Sequence, residues 1–227
     1  MSNISIDALP SVVIETGNKP THSIIWLHGM GANGNDFVSI VQKLNLQSGI
    51  KTRFIFPHAP LQPISINNGT MMRAWYDISS LDFSNNEDID GIHTSQHMIE
   101  NIIDKEKQSG IKPENIVLAG FSQGGAIALH TGLRHPNKLA GILVLSGYLP
   151  LANRIESDSH PSNLSTNILM VHGYNDTVVP PNIALLSKQK LLKLGYTVNW
   201  NAYQMGHSVC NNEINDISNW LNKMQSN

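Results

Sequence analysis

Short runs of apolar and β-branched residues alternate with segments of helical periodicity along most of this chain. Runs that are apolar at nearly every position favour buried strands of a parallel sheet, which helices cover on both faces. We therefore expect an α/β fold with a mainly parallel central sheet and helices on both faces. The predicted strands are Ser11–Glu15, Ser23–Leu27, Thr52–Phe56, Asn115–Gly120, Gly141–Ser146, Asn167–Val171 and Thr197–Ala202.

The helical segments place apolar residues three and four positions apart. One such helix includes Ile92 and ends at Gly110, and another covers residues 125–134. A third follows a Pro-Pro pair and ends near Gly195, which matches the preference for proline at helix starts and glycine after helix ends. The last covers roughly residues 212–224. We expect these helices to pack on the sheet.

Residues 57–75 interrupt the alternation, because three prolines and an Asn-Gly pair are mixed with apolar side chains. This composition predicts a long loop, and long apolar loops often form lids or pocket walls. A loop that only covers the sheet edge would look the same, so both interpretations stay open. The candidate substrate-binding residues in this lid-like loop are Leu61, Ile64, Met71, Met72 and Trp75. Residues 152–166, rich in polar side chains, predict a solvated connection.

The size and charge of the chain limit its class. Its 227 residues, 41% of them hydrophobic, predict a single domain over residues 1–227. A formal net charge of -2 without charge runs argues against nucleic acid as a partner and favours a neutral or weakly charged small molecule. The one cysteine, Cys210, excludes an intramolecular disulfide, and we find neither a secretory signal nor a run long enough to span a membrane. We therefore expect a cytoplasmic protein.

The most informative segment is Gly120-Phe121-Ser122-Gln123-Gly124, at the junction of a predicted strand and a predicted helix. A serine in such a turn needs neighbours without bulk two residues away on either side, and the turn then presents its hydroxyl to substrate. The pattern predicts a nucleophile elbow. An ordinary glycine-rich turn with an exposed serine fits the segment equally well, so other residues must decide.

Candidates for the other catalytic groups follow from chain order. In hydrolases with this elbow, the acid and then the histidine follow the serine, each on a loop after a strand. His207 is the histidine after Ser122 that lies in a short loop behind a late strand, and Asp176 is the acid between them that follows an apolar strand. We infer a Ser122, Asp176 and His207 triad. Val178 and Val179, next to the acid, are further candidates for substrate contact.

An oxyanion hole requires two N–H donors, one from the residue after the nucleophile and one from a loop after an early strand. Gln123 is the first candidate, and Met30 in the His28-Gly29-Met30-Gly31 loop is the second. The same loop also matches the G-x-G-x-x-G pattern of dinucleotide-binding proteins. The next strand, however, lacks the acidic residue that holds the ribose, so nucleotide binding stays a minor alternative.

Two other candidates carry less weight. His93 and His97 lie four apart on a predicted helix, a spacing that can bind a metal, but a third ligand is not apparent. We expect a solvated helix face and no metal. Cys210 is close to His207 in sequence, and we interpret it as structural.

Five ordered segments give the chain a family resemblance. The segments are Leu27-His28-Gly29-Met30-Gly31, Arg73-Ala74-Trp75-Tyr76-Asp77, Gly120-Phe121-Ser122-Gln123-Gly124-Gly125-Ala126, His172-Gly173-Tyr174-Asn175-Asp176 and Gly206-His207-Ser208. With them the chain resembles the carboxylesterase, lysophospholipase and acyl-protein thioesterase family. The resemblance implies an α/β-hydrolase that cleaves esters or thioesters without a cofactor. It also implies the triad and oxyanion donors named above, and a substrate-covering loop from Leu61 to Trp75.

The resemblance leaves the substrate open. A short-to-medium acyl ester or thioester, a lysophospholipid and an acylated protein all fit it, as do peripheral membrane contact and a homodimer. A non-catalytic ligand-binding protein on the same fold is the alternative from another functional class.

Overall fold

The computed structural model describes residues 9–80 and 87–225. Nine strands are present in these ranges. They are β1 (Ser11–Glu15), β2 (His22–Leu27), β3 (Thr52–Pro57), β4 (Leu61–Ile64), β5 (Thr70–Arg73), β6 (Ile116–Phe121), β7 (Gly141–Leu145), β8 (Asn167–Gly173) and β9 (Val198–Tyr203). Seven of them form one sheet in the order β1-β3-β2-β6-β7-β8-β9. Only β1 runs antiparallel to its neighbour, so the mainly parallel sheet is confirmed.

Helices cover both faces of this sheet. They are α1 (Ile40–Lys43), α2 (Ile89–Gln108), α3 (Gln123–Arg134), α4 (Ile155–Asp158), α5 (Pro181–Lys193) and α6 (Asn211–Gln225). Ile25 and Leu27 of β2 pack with α2 and α3 on one face, whereas Ile24 and Trp26 pack with α1 and α6 on the other. This arrangement follows from the alternation of side chains along a strand, and it explains why β2 is apolar at nearly every position.

The prediction of an irregular loop over residues 57–75 is wrong, because β4 and β5 form an antiparallel hairpin there. Asn68 and Gly69 adopt positive φ angles of 54° and 74° at its turn. An Asn-Gly pair between short apolar strands is a strong hairpin signal. Pro63 within β4 argues against a strand in the sequence, but proline is tolerated in an edge strand, where few backbone N–H groups are needed for pairing.

Two smaller expectations also need correction. The connection over residues 152–166 is only partly solvated, because it contains α4 and the side chains of Ile155 and Asn163 are fully buried. The helix after the serine begins at Gln123 instead of Gly125.

The start of α3 lies against the backbone of β6 and β2. A Cβ atom at Gly120 would overlap the backbone of Gly124, and one at Gly124 would overlap the carbonyl oxygens of Leu27 and His28. Backbone atoms cannot move aside as a flexible side chain can, so the two glycines set how closely the helix approaches the sheet.

We predict that Gly124→Ala destabilises the protein by about 3 kcal/mol, because the added methyl group forces backbone apart in a packed core. Gly49→Ala is the matched control, since a Cβ there meets no atom within 4 Å. It should change the free energy of unfolding by less than about 0.5 kcal/mol. Urea denaturation measures both values. Equal stability of the two variants would contradict the prediction.

Candidate active site

Ser122 lies between the last residue of β6 and the first residue of α3. Its backbone has φ 55° and ψ -122°, a conformation that costs a non-glycine residue strain energy. Two hydrogen bonds hold it there: its N–H donates to the Leu145 carbonyl at 2.8 Å, and its carbonyl accepts from the Ala126 N–H at 3.0 Å. The structure therefore has the sharp strand-to-helix turn of a nucleophile elbow.

Asp176 follows β8 and is almost fully buried, with 4% of its surface exposed. Its Oδ1 accepts hydrogen bonds from the N–H groups of Val178 and Val179, both at 2.9 Å. Its Oδ2 lies 2.7 Å from Nδ1 of His207. These hydrogen-bond donors offset the desolvation cost of burying the carboxylate.

A second histidine contacts this carboxylate from the side. Nε2 of His172 lies 2.8 Å from the Val179 carbonyl oxygen and 3.3 Å from Oδ2 of Asp176. Both neighbours are acceptors, so Nε2 carries the proton. Burial lowers the pKa of His172, which keeps the ring neutral. His172 thus acts as a positioning residue for Asp176, and sequence analysis did not single it out for this role.

His207 lies on the loop after β9. Its Nδ1 faces Asp176, and a carboxylate can only accept, so Nδ1 carries the proton and Nε2 has the free lone pair. The ring packs against Phe121, with 4.7 Å between the ring centroids. These contacts hold the imidazole beside the elbow, where His207 and Ser122 line the same cavity.

The candidate oxyanion donors lie on two segments that meet at the serine. Gln123 is the first residue of α3, so its N–H has no acceptor within the helix. Met30 is in the loop after β2, and a Cβ at the preceding Gly29 would lie 3.4 Å from Cβ of Ser122. The flanking Gly31 N–H donates to the Arg73 carbonyl at 2.8 Å, which attaches this loop to β5.

Two cavities meet at Ser122. The larger, of about 450 Å³, is open and also contains His207. Its remaining lining residues are Gly29, Met30, Ala32, Asp36, Phe37, Phe121, Val178, Ser208 and Val209. The smaller, of about 60 Å³, is narrow and mostly apolar. Besides Ser122 it is lined by Met30, Ile66, Ile78, Gln123, Tyr148, Val178 and Val179.

Of the predicted substrate-binding residues, Val178 and Val179 line the narrow cavity, and the five in the hairpin segment line neither cavity. Leu61 and Met71 are exposed, with 61% and 59% of their surfaces accessible. Both side chains thus lie away from the two cavities, because alternate side chains of a two-stranded hairpin point away from the body of the protein. Their assignment to substrate contact stays a prediction.

The other three residues of that assignment are Ile64, Met72 and Trp75. Ile64 and Trp75 are buried in the core, and Met72 is half-buried. The indole N–H of Trp75 donates to the His28 carbonyl at 2.8 Å, which makes this side chain a support for the glycine loop. Sequence analysis missed Ile66, Ile78 and Tyr148, which no local pattern distinguishes from core residues.

The two candidate metal ligands of α2, His93 and His97, have different neighbours. The ring of His93 meets the edge of His130, and His97 lies 3.1 Å from Glu100. Within residues 9–80 and 87–225, no group of three or more histidine, cysteine, aspartate or glutamate residues is arranged to hold a metal ion. None of the helices in these ranges has the length and apolar character needed to cross a membrane.

The sheet order, the strained serine and the buried acid–histidine pair define an α/β-hydrolase. The chain belongs to the phospholipase/carboxylesterase family, whose model matches residues 9–225. It is 38% identical to acyl-protein thioesterase 1 of Gibberella zeae, over 97% of both chains. It is 32% identical to a probable carboxylesterase of Oryza sativa, over 97% of this chain and 84% of that protein.

A solved structure supports the same assignment. The crystal structure of SOBER1 from Arabidopsis thaliana matches with a TM-score of 0.84 and 33% identity, over 89% of this chain and 98% of that one. A protein with the same name from this plant is a carboxylesterase, 34% identical over 88% of this chain and 89% of its own length. The suspected family and fold are thus confirmed.

The segment after His207 leads into α6, whose first turn is capped by the side chain of Glu213. The Cys210 N–H donates to Oε2 of Glu213 at 3.2 Å, three residues into the helix. Glu213 is fully buried, and within the described ranges its Oε1 has no hydrogen-bond partner. Burial raises the pKa of Glu213 to about 7.

This shift predicts a pH-dependent stability. The folded state binds the Glu213 proton more tightly than the unfolded state, so stability falls as pH rises from about 4.5 to about 7. The free energy of unfolding of the wild type should fall by about 3 kcal/mol between pH 5 and pH 8, and Glu213→Gln should not show this fall. Denaturation at both pH values measures it, with the exposed Glu114→Gln as control. A constant difference between wild type and Glu213→Gln across this range would refute the expectation.

Proposed function

We propose that this protein hydrolyses carboxylic esters and thioesters through an acyl-enzyme on Ser122. The observation that carries the proposal is the buried Asp176–His207 pair, at 2.7 Å, beside a serine in a strained turn. Similarity to acyl-protein thioesterases and carboxylesterases supports the same chemistry.

In the first half-reaction Oγ of Ser122 bonds to the acyl carbon while Nε2 of His207 takes the hydroxyl proton. Asp176 stabilises the resulting imidazolium through Nδ1. The bond from the acyl carbon to the leaving oxygen or sulfur then breaks, and His207 gives its proton to that atom. Water next bonds to the acyl carbon while His207 takes its proton. The bond from the acyl carbon to Oγ then breaks, His207 returns the proton to Oγ, and the carboxylic acid leaves.

The negative charge of each tetrahedral intermediate develops on the former carbonyl oxygen. We assign its stabilisation to the N–H groups of Gln123 and Met30, which flank Ser122 from α3 and from the loop after β2. Preorganised donors of this kind typically contribute about 3 kcal/mol each to catalysis.

The two cavities suggest how the substrate is oriented. The narrow apolar cavity suits the acyl chain, because each methylene buried there contributes about 0.8 kcal/mol. The open cavity, which includes His207, suits the leaving group that this histidine must protonate. Its openness is compatible with a small alcohol, a lysophospholipid head group or an S-acylated protein. We retain a cytoplasmic setting and a homodimer as expectations.

The first test is Ser122→Ala, which should lower kcat by about 10⁶ because it removes the nucleophile. A fluorophosphonate probe should label the wild type and fail to label this variant. Ser208→Ala is the matched control, since Ser208 lines the same cavity and should not be the labelled residue. Turnover near the wild-type rate in Ser122→Ala would disprove the mechanism. A wild-type protein that neither turns over esters nor reacts with the probe would favour a non-catalytic binding protein.

The second test is acyl-chain selectivity. We expect kcat/KM to rise by up to about fourfold for each methylene added from acetyl to butyryl, as the chain fills the narrow cavity. Ile78→Phe, which narrows that cavity, should shift the preference towards acetyl. Leu164→Phe, at an exposed position outside the cavity, serves as the control. A flat profile in the wild type would contradict the assignment of this cavity to the acyl chain.

A further inference from the structure

The open cavity contains a carboxylate for which the mechanism has no use. Asp36 lies in a short 3-10 helix, Gly34–Phe37, and it lines the cavity with Ser122 and His207. Its side chain is exposed to the cavity mouth. Among the described residues that line this cavity there is neither lysine nor arginine, so Asp36 gives this lining a net negative charge.

Within residues 9–80 and 87–225, the charge of Asp36 has no ion-pair partner. None of the ion pairs or side-chain hydrogen bonds among the described residues involves its carboxylate. The charge of Asp36 acts to raise the pKa of His28, but burial has the larger effect, lowers the pKa of that ring and keeps it neutral. Its Nε2 accepts from the Ala59 N–H at 3.0 Å, as only an unprotonated nitrogen can.

A structural role for this carboxylate is already filled by another residue. Asn33 caps the 3-10 helix, because its Oδ1 accepts from the Asn35 N–H at 3.0 Å. Asp36 follows that cap, and its backbone N–H donates to the Asn33 carbonyl at 3.1 Å. The side chain is therefore free to interact with a bound molecule.

Two aromatic rings lie in the same cavity as this carboxylate. Phe37 and Phe121 line it, with 5.6 Å between their ring centroids. Aromatic faces attract cations through the ring quadrupole, and sites that recognise quaternary ammonium groups combine such faces with negative charge. A carboxylate and two phenyl rings beside the nucleophile thus provide the chemistry for binding an ammonium group.

We propose that the open cavity selects esters and thioesters whose leaving group carries a positively charged ammonium. Asp36 supplies the opposite charge, and Phe37 and Phe121 supply apolar and cation–π contact. This inference rests on the proposed function, because it names the leaving group for the same serine. The shared chemistry is an ammonium close to the scissile bond, whether quaternary or protonated tertiary.

The test compares three butyryl thioesters of nearly equal shape. Their leaving thiols are thiocholine, which is permanently cationic, 2-(dimethylamino)ethanethiol, which is cationic at pH 7, and the neutral 3,3-dimethylbutanethiol. The readout is the ratio of kcat/KM for each cationic substrate to that for the neutral one. Intrinsic reactivity differs among the thioesters but cancels when this ratio is compared between variants.

We expect Asp36→Asn to lower this ratio about three- to fivefold, which is the effect of one exposed charge at short range. Glu114→Gln is the matched control, because it also removes one exposed negative charge. Glu114 lies just before β6, whereas Ser122 lies just after it, so this variant should leave the ratio unchanged. Raising the salt concentration to 0.5 M should reduce the wild-type ratio towards that of Asp36→Asn. The loss should be similar for both cationic substrates, because Asp36→Asn removes the charge and leaves both phenyl rings in place.

Inhibition provides a second measurement that does not depend on turnover of a charged substrate. Choline should inhibit hydrolysis of the neutral thioester more strongly than 3,3-dimethylbutanol does, and Asp36→Asn should abolish this difference. If wild type and Asp36→Asn hydrolyse all three thioesters with the same ratio, the inference is overturned and the proposed function stands. If neither hydrolyses any ester or thioester, the proposed function fails.

Discussion

The architecture of this site depends on a backbone-to-backbone contact between α3 and the strands β6 and β2. Only glycine at positions 120 and 124 permits the contact, because any Cβ there would overlap main-chain atoms. The helix can therefore begin directly after Ser122, and the chain must turn through the strained backbone angles of that residue. Strain of this kind persists only where the surroundings over-determine it, and here close packing and two main-chain hydrogen bonds do so.

A second close approach brings the acid and the histidine together. A Cβ at Gly173 would overlap the carbonyl oxygens of Met205 and Gly206, so glycine at the end of β8 allows the two loops to touch. The Asn175 N–H donates to the Met205 carbonyl at 3.0 Å and fixes their separation. Asp176 is then placed to accept from Nδ1 of His207. Desolvation makes this buried carboxylate costly without partners, so its hydrogen bonds support the loop geometry as well as the candidate chemistry.

Sequence analysis predicted the sheet well because buried parallel strands are apolar on both faces, which leaves a strong local signal in segments such as β7. The hairpin was not predicted, because the prolines of this segment favour a loop and outweighed the hairpin signal of the Asn-Gly pair. Chain order was enough to choose Asp176 and His207, which the structure brings into contact, while their catalytic roles stay predictions. Only part of the cavity lining could be predicted: Val178 and Val179 line the narrow cavity, whereas Ile66, Ile78 and Tyr148 come from distant segments and resemble core residues in sequence.

Gln123 joins these features through both of its amide groups. Its backbone N–H lies at the start of α3, next to the nucleophile. Its buried side chain accepts from the backbone N–H of Trp75 at 2.9 Å and donates to the Tyr76 carbonyl at 2.7 Å. The segment after the hairpin is thereby attached to one of the two candidate oxyanion donors. The indole N–H of Trp75 in turn donates to the His28 carbonyl, at the start of the loop that includes Met30. Both candidate oxyanion donors therefore belong to one hydrogen-bonded unit. Their spacing is set by this buried network, whereas the exposed face of the hairpin can vary without disturbing it.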